Sequence, residues 1–510
     1  MSQKILFWLN GFLLHFGLAY YLQQKLDDDF FAIIDVPNRP KTFFLEQNLV
    51  TFNKKWFLHD HITRNNSKLD IDYLNNFEKN YSINLWELGI NERIFYKYNK
   101  FHKFSHDEIL KILEQECKFY EKILDEIQPD FLITFETALH YHHLFYEMCK
   151  KRGIKILMLQ QSKLGYQCMI SQELHKIDNM PKLSDIPSRK PNFEQLREIL
   201  EDYNSLKQIK TFTKNFGNSK SHKMNALLEY VFSSDNSNEK NNFTYYGRTK
   251  MKVIMDYLSN YFEVKKRKSF IDKNFEHVPT VSEKYVLFPM NQDPERTTLI
   301  SAPFYTNQLE FIRNISRSLP PGYKLYVKEH FAQVLREWRP ISYYKEILDI
   351  PNVRLFHPFS NMENLMKNSS LVISIGGSAS FLASFYEKPS MIIADHGYTI
   401  LSFIHKINSI EELPSSIRKS LNTKVIPEEL DRYLTVLEDN SFEFDLKGYE
   451  ILEENHFNYG GNYHDTIITN DKMKLFLENN RDYFEPLATA HIKKLDQFKQ
   501  KQSVKNEDGI

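Results

Sequence analysis

At 510 residues the chain is too long for one ordinary hydrophobic core, so two domains of roughly 150–200 residues with connecting material are expected. Its 66 Lys+Arg balance its 66 Asp+Glu, which leaves no global basic field of the kind that marks a nucleic-acid binder, and its 42% hydrophobic residues are ample for packed cores. Cys117, Cys149 and Cys168 are widely spaced, with no C-x-x-C pair and no His at zinc-ligand spacing. That argues against a disulfide framework or a structural zinc and fits a reducing, cytoplasmic compartment.

The opening KILFWLNGFLLHFGLAYYL nearly reaches the length of a membrane span, but Asn10, Gly11, His15 and Gly17 interrupt it. Lys4–Leu9 is expected as a buried strand, Asn10-Gly11 as its turn and Phe12–Leu26 as the first helix, with a signal anchor as the alternative. Phe12, Phe16, Tyr20 and Tyr21 fall at helical spacing, which predicts core rather than a ligand-stacking platform. The run Asp27-Asp28-Asp29 reads as a solvated turn and not as a D-x-D metal motif.

Phe30–Val36 reads as a strand, Asp107–Ile127 as an amphipathic helix and Phe131–Phe135 as another strand. Leu139–Arg152 follows as a helix closed by Gly153, then Ile154–Leu159 as a strand. This alternation predicts a parallel sheet with helices on both faces, over residues 1–170. Glu136 and His140 directly follow a strand, at the end of the sheet where catalytic groups sit, and Asn10-Gly11 is a further substrate-facing turn. His140, His142 and His143 do not share one helical face, so no metal site is expected.

Residues 171–283 degrade into a bridge of helical pieces such as Asn192–Leu206, with Ser233–Asn242 (SSDNSNEKNN) as the most linker-like segment. A second α/β series then spans 284–435. Its strands are expected at Lys284–Pro289, Lys324–Val327, Val353–Phe356, Leu371–Ile375 and Ser390–Ala394, with a helix over Asn307–Leu319 stopped by Pro320-Pro321-Gly322. Residues 436–510 are expected as a C-terminal helical extension.

Within this series LVISIGGSASFLASFYEKPSMII forms a strand, a Gly-Gly-Ser corner, a helix and a second strand. Gly376 and Gly377 permit close backbone approach, and Ser378 can cap the helix whose first N–H groups favour an anion. Lys328 and His330, at the end of another strand, can supply charge and hydrogen bonds to the same phosphate if the strand ends lie side by side. Asp293 and Glu295 follow a strand-ending proline, and Gln308 opens a nearby helix. A catalytic or orienting role is the functional reading of Asp293, substrate contact that of Glu295 and Gln308, and solvated loop or capping roles are the alternatives.

YVLFPMNQDPE, Asn307-Gln308, LPPGYKLYVKEH, PNVRLFHP and IGGSASFLASFYEKPSMI together resemble the capsule polysaccharide biosynthesis proteins, glycosyltransferases of the GT-B class related to bacterial Kdo transferases. The resemblance covers about residues 284–399. It implies two Rossmann-like, doubly wound parallel-sheet domains facing across a cleft, with a nucleotide-sugar donor (CMP-, UDP- or GDP-linked) held by the second. It further implies a glycan or lipid-linked glycan acceptor at the first, no other cofactor and no metal, with peripheral association at membrane-bound assembly machinery left open. Phe331 stands where similar proteins have Pro, Leu382 where a ribose-binding Glu is usual, and Glu387 where a Gly precedes Lys-Pro. Besides a glycosyltransferase of surface polysaccharide or glycolipid, a catalytically degenerate binding subunit and a nucleotide-sugar epimerase therefore remain open.

Overall fold

The computed structural model describes residues 2–36, 38–64, 67–96, 101–190, 192–201, 242–280, 282–334, 339–457 and 466–507. The expected linker Ser233–Asn242 lies outside them except for its last residue. The expected helix Asn192–Leu206 is described as Phe193–Glu201, and its remainder also lies outside. The described strands are β1 Lys4–Asn10, β2 Asp29–Asp35, β3 Lys54–Phe57, β4 Phe131–Phe135, β5 Lys155–Gln161, β6 Gln167–Ser171, β7 Tyr285–Pro289, β8 Lys324–Lys328, β9 Val353–Phe356, β10 Leu371–Ser374, β11 Ser390–Ile392, β12 Ile404–Lys406 and β13 Ser441–Glu443.

The chain divides into two compact units. One holds Met1–Asp178, Asn204–Lys252 and Asn440–Ile510, the other Asn179–Tyr203 and Val253–Asp439. This departs from the expected segments at both ends of the bridge, and the expected C-terminal extension belongs to the first unit only from Asn440 on.

In the first unit the sheet runs β13-β6-β5-β4-β1-β2-β3. Strands β3 to β5 through β1 are parallel, whereas β6 and β13 turn antiparallel at one edge. The period-2 alternation of β1 sends Ile5, Phe7 and Leu9 into one core cluster and Leu6 and Trp8 into the other. The helix His106–Ile127 covers the second face and begins with a capping box between Ser105 and Glu108.

On the first face the helix Leu14–Gln23 is itself covered by the long C-terminal helix Arg481–Glu507. Gly17 is what permits this approach, because a Cβ there would fall into the Phe484 ring. The apolar opening of the chain is thus core on both sides. No helix among the described residues is long and apolar enough to cross a membrane.

The second unit's six strands are all parallel, in the order β12-β11-β10-β7-β8-β9. Alternate residues again feed opposite faces: Val286, Phe288, Leu325 and Val327 into one cluster, Tyr285, Leu287 and Tyr326 into the other. The chain leaves β7 in one direction to β8 and β9 and returns on its other side to β10, so the strand order reverses between β7 and β10. In a doubly wound sheet this is where a crevice opens at the carboxyl ends of the strands. Both units are Rossmann-like in this sense.

Candidate functional site

The loops that leave β7, β8, β10 and β11 meet at the carboxyl edge of the second sheet. Gln308 closes the first of them: its Oε1 accepts from the Asn291 N–H at 2.8 Å and its Nε2 donates to the Asn291 carbonyl at 3.0 Å. Its carboxamide is fully buried and spent on this main chain, which corrects the expectation that Gln308 contacts a substrate. The Asn291 Nδ2 donates to Glu295 Oε1 at 2.8 Å and to the Gly376 carbonyl at 3.2 Å, tying the β7 loop to the Gly-rich corner. Flipping that amide would set its oxygen against a carboxylate and a carbonyl, so the orientation is fixed and Asn291 Oδ1 is buried without a hydrogen-bond partner. Gln333 holds the Asp293 main chain, accepting from its N–H at 3.2 Å.

After β8 the three residues Lys328, Glu329 and His330 have separate fates. The Lys328 ammonium donates to the Pro358 carbonyl at 2.8 Å and to that of Glu329 at 3.2 Å. Burial pulls it down to about 8 against the pull of Glu329. It is a strut between loops, and the expectation that it holds phosphate is corrected by those two carbonyls.

Glu329, which sequence reasoning passed over, is the hub. Fully buried, it accepts from Arg339 Nη1, from Tyr344 OH at 2.7 Å and from the His330 N–H at 2.7 Å. Arg339 in turn donates to the Asn291 carbonyl at 2.7 Å. Burial pushes His330 down to about 4, and its Nδ1 accepts from the Ala332 N–H at 3.3 Å. Near neutral pH it is therefore an uncharged imidazole that carries its proton on Nε2, a hydrogen-bond donor without a full charge.

At the corner the two glycines serve different ends. A Cβ on Gly376 would overlap the Thr297 γ-methyl and press on Ala394 Cβ at 3.2 Å and His396 Nε2 at 3.3 Å, so Gly376 is required by packing. Gly377 has φ +100° with only Asn291 Nδ2 near its Cβ position, at 3.9 Å, so it is required by conformation and faces open space. The Tyr398 hydroxyl donates to the Gly377 carbonyl. Ser378 occupies the cap position of the helix Ala379–Phe385 but makes no side-chain cap bond, and its partly exposed hydroxyl remains on the loop.

That helix is stitched down by buried hydroxyls. Ser374 and Ser380 are 2.7 Å apart, and Ser390 donates to the Ser380 carbonyl at 2.9 Å. Leu382 packs against the cluster of Tyr285, Leu287 and Tyr326. Glu387 is exposed with φ +62°, which is why glycine suits this position, and its carboxylate lies 3.6 Å from Arg197.

Strand order separates two groups expected to act together. β8 and β10 lie on opposite sides of β7, so the strands that lead to His330 and to the glycine corner stand two strand spacings apart, about 10 Å. The loop Asn291–Glu295 lies between them.

In the first unit, Asn10 Oδ1 accepts from the Phe12 N–H at 3.1 Å, and Gly11 has open space about its Cβ position. Glu136 is exposed just beyond β4. His140 is enclosed instead: Nδ1 lies 2.9 Å from Glu92 and Nε2 3.0 Å from Glu116. Burial opposes its charge, yet Glu116 and Glu92 hold it up at about 10, so it is an imidazolium and not a base. Near it the Asp35 carboxylate, at the carboxyl end of β2, meets His59 Nε2 at 2.9 Å and accepts from Tyr141 OH at 3.0 Å. Neither Asp35 nor His59 carried a local motif; only the strand order sets Asp35 beside Asn10. Among the described residues no group of three or more His, Cys, Asp or Glu is placed to hold a metal ion.

No protein-family model and no curated protein matches the chain, so the resemblance to capsule polysaccharide biosynthesis proteins rests on the motifs quoted above. Among solved structures the chain is similar to the beta Kdo 2,7 transferase KpsC of Thermosulfurimonas dismutans, at 11% identity over 78% of this chain and 97% of that one, TM-score 0.30. It is similar to the UDP-GlcNAc 2-epimerase of Neisseria meningitidis bound to UDP-GlcNAc, at 10% identity over 94% of this chain and 100% of that one, TM-score 0.26. The UDP-GlcNAc 2-epimerase of Methanocaldococcus jannaschii matches at 13% identity over 86% of this chain and 100% of that one, TM-score 0.24. The fold assignment stands on the strand order of the two sheets themselves.

Proposed function

We propose that the second unit binds a nucleotide-activated sugar at the β7/β10 crevice and that the chain is a glycosyltransferase acting on a surface polysaccharide or glycolipid. The observation that carries this reading is the corner Gly376-Gly377-Ser378, which offers main-chain N–H groups and a hydroxyl at the topological switch point and whose Gly376 carbonyl is tied to Asn291, itself held by Glu295. The corner takes the diphosphate or monophosphate of the donor. His330, on the other side of β7, donates a hydrogen bond from its Nε2 to another part of the same ligand. As the bond between sugar and phosphate breaks, charge grows on the phosphate oxygens, and fixed N–H donors stabilise it without reorganisation. The acceptor side is assigned to the first unit, with Glu136 and Asp35 as its carboxylates and Asn10-Gly11 as a substrate-facing turn; His140 is withdrawn from that role.

Leu382 favours a second reading. Its side chain belongs to a core cluster, and the exposed Glu387 does not replace the missing ribose-binding carboxylate. A chain that binds nucleotide without turnover would be a partner subunit in an assembly complex.

Calorimetric titration with CMP-, UDP- and GDP-sugars separates these readings. One nucleotide class is expected to bind, with His330→Ala and Ser378→Ala each weakening it about tenfold, or 1.4 kcal/mol. Binding with no turnover of any glycan acceptor supports the partner subunit, and absence of binding to all three classes overturns both.

A further inference from the structure

The helix Lys250–Asn274 carries a face that the donor site does not use. Val264 and Phe270 are half-buried and Ile271 is fully buried against the core of the second unit, which fixes which side of the helix faces inward. On the opposite side Met255, Leu258 and Phe262, spaced i, i+3, i+7, are 65%, 53% and 69% exposed. Tyr257 and Tyr261 flank them at 51% and 50%. Large apolar side chains contiguous on one face at this exposure mark an interaction surface, whereas single exposed ones do not.

The same face changes character one turn later. Past Phe262 it continues through Lys265, Lys266, Ser269 and Lys273, all exposed. Lys265, Lys268, Ser269, Asp272 and Lys273 line a shallow open basin. Lys265, Lys266 and Lys273 are exposed cations of this face, while Arg267 pairs with Glu263 and Lys268 with Asp272, in a chain of net charge zero. An apolar stripe flanked by tyrosines and continued by a cluster of lysines complements one kind of surface. The apolar side chains enter an acyl boundary, the tyrosines sit at its polar edge, and the ammonium groups meet phosphate-bearing headgroups. A protein partner would need an acidic patch and an apolar groove in the same order along one line.

We infer that the exposed face of Met255–Lys273 docks this protein on an anionic lipid bilayer. Docking is peripheral, because the helix is too polar to span and its inner side is held by the second unit's core. It is independent of nucleotide binding, so it stands or falls separately from the donor reading.

The test is co-sedimentation of the full chain with vesicles of phosphatidylglycerol mixed into phosphatidylcholine and with vesicles of phosphatidylcholine alone. Two variants are compared: Met255→Ser/Leu258→Ser/Phe262→Ser, and Lys265→Gln/Lys266→Gln/Lys268→Gln/Lys273→Gln. All seven positions are exposed, and an unchanged melting temperature confirms that both variants fold. The wild type is expected to bind the anionic vesicles and to lose binding as salt rises, with each variant at least about tenfold weaker. Equal binding by the wild type and both variants overturns the inference, as does a wild type that stays in the supernatant. A wild type that forms dimers dispersed by the apolar variant, with no vesicle binding, also overturns it and assigns the face to a second copy of the chain.

Discussion

Gly376→Ala is the most direct probe of the corner, because the reason for a glycine there is steric and its obstacle is one methyl group. The new Cβ overlaps Thr297 Cγ2 and also meets Ala394 Cβ at 3.2 Å and His396 Nε2 at 3.3 Å. A β-branched side chain cannot swing its methyl away without leaving its rotamer, so the cost falls in the overpacking range of about 1–3 kcal/mol. For a unit of this size that corresponds to a melting-temperature loss of about 2–12 °C. Thr297→Ser removes the obstructing methyl and keeps the hydroxyl; Thr297 is only half-buried, so this change alone costs less than about 0.8 kcal/mol.

The double variant Gly376→Ala/Thr297→Ser should recover most of the loss, leaving only the two contacts above 3 Å to be relieved by small shifts. Urea unfolding of the wild type, both singles and the double gives the coupling as a double-mutant cycle, expected at about 1–2 kcal/mol. Additivity within about 0.5 kcal/mol would show that the corner relaxes elsewhere and that the β7 loop does not seal it. Gly377→Ala is the internal comparison: it has room for its methyl but a φ of +100°, so Thr297→Ser should not rescue it.

Glu329→Ala strands the buried Arg339 guanidinium and should cost about 3–5 kcal/mol, and Glu329→Gln, which keeps the shape but not the charge, should cost most of that; a nearly neutral Glu329→Gln would refute an ionic hub. Glu387→Gly relieves a left-handed φ of +62° at the expense of an exposed ion pair, so a gain of about 0.5–1 kcal/mol in thermal unfolding is expected, and a loss would mean that Arg197 matters more than the backbone. The first unit should show two pH limbs. Burial holds His491 at about 4, below its ordinary 6.5, so the unfolded chain binds the extra proton and stability falls as pH drops from 6.5 to 4; His491→Met should flatten this limb in acid titrations followed by circular dichroism. Glu116 and Glu92 hold His140 at about 10, so its contribution is complete below 6.5 and fades as pH rises toward 10; an alkaline limb unchanged by His140→Gln would refute the buried imidazolium.

What was legible in the sequence is what local pattern encodes. Uninterrupted β-branched and aromatic runs announced β1, β2, β4, β7 and β10, and Gly153, with φ +77°, closed its helix where expected. The strand Lys54–Phe57 went unread because KKWF shows two lysines before its buried tryptophan. Ile404–Lys406 and Ser441–Glu443 are three residues each, too short to display a period. The membrane-like opening was ambiguous for a related reason. Its helix is apolar all round because the C-terminal helix covers its outer side, and that cover comes from the far end of the chain.

The candidate site shows the same boundary more sharply. Gly376, Gly377 and His330 follow β10 and β8 as residue type and pattern led one to expect. Their separation was not legible, because it depends on β10 pairing with β7 and not with β8, a contact between segments far apart in the chain. A local reading placed Lys328 and His330 beside the corner as one phosphate site. The observed order inserts the Asn291–Glu295 loop between them, and Lys328 turns away to two carbonyls. The consequence is chemical. A ligand that engages both His330 and the corner crosses the β7 loop from one side to the other, which suits a nucleotide joined to a sugar.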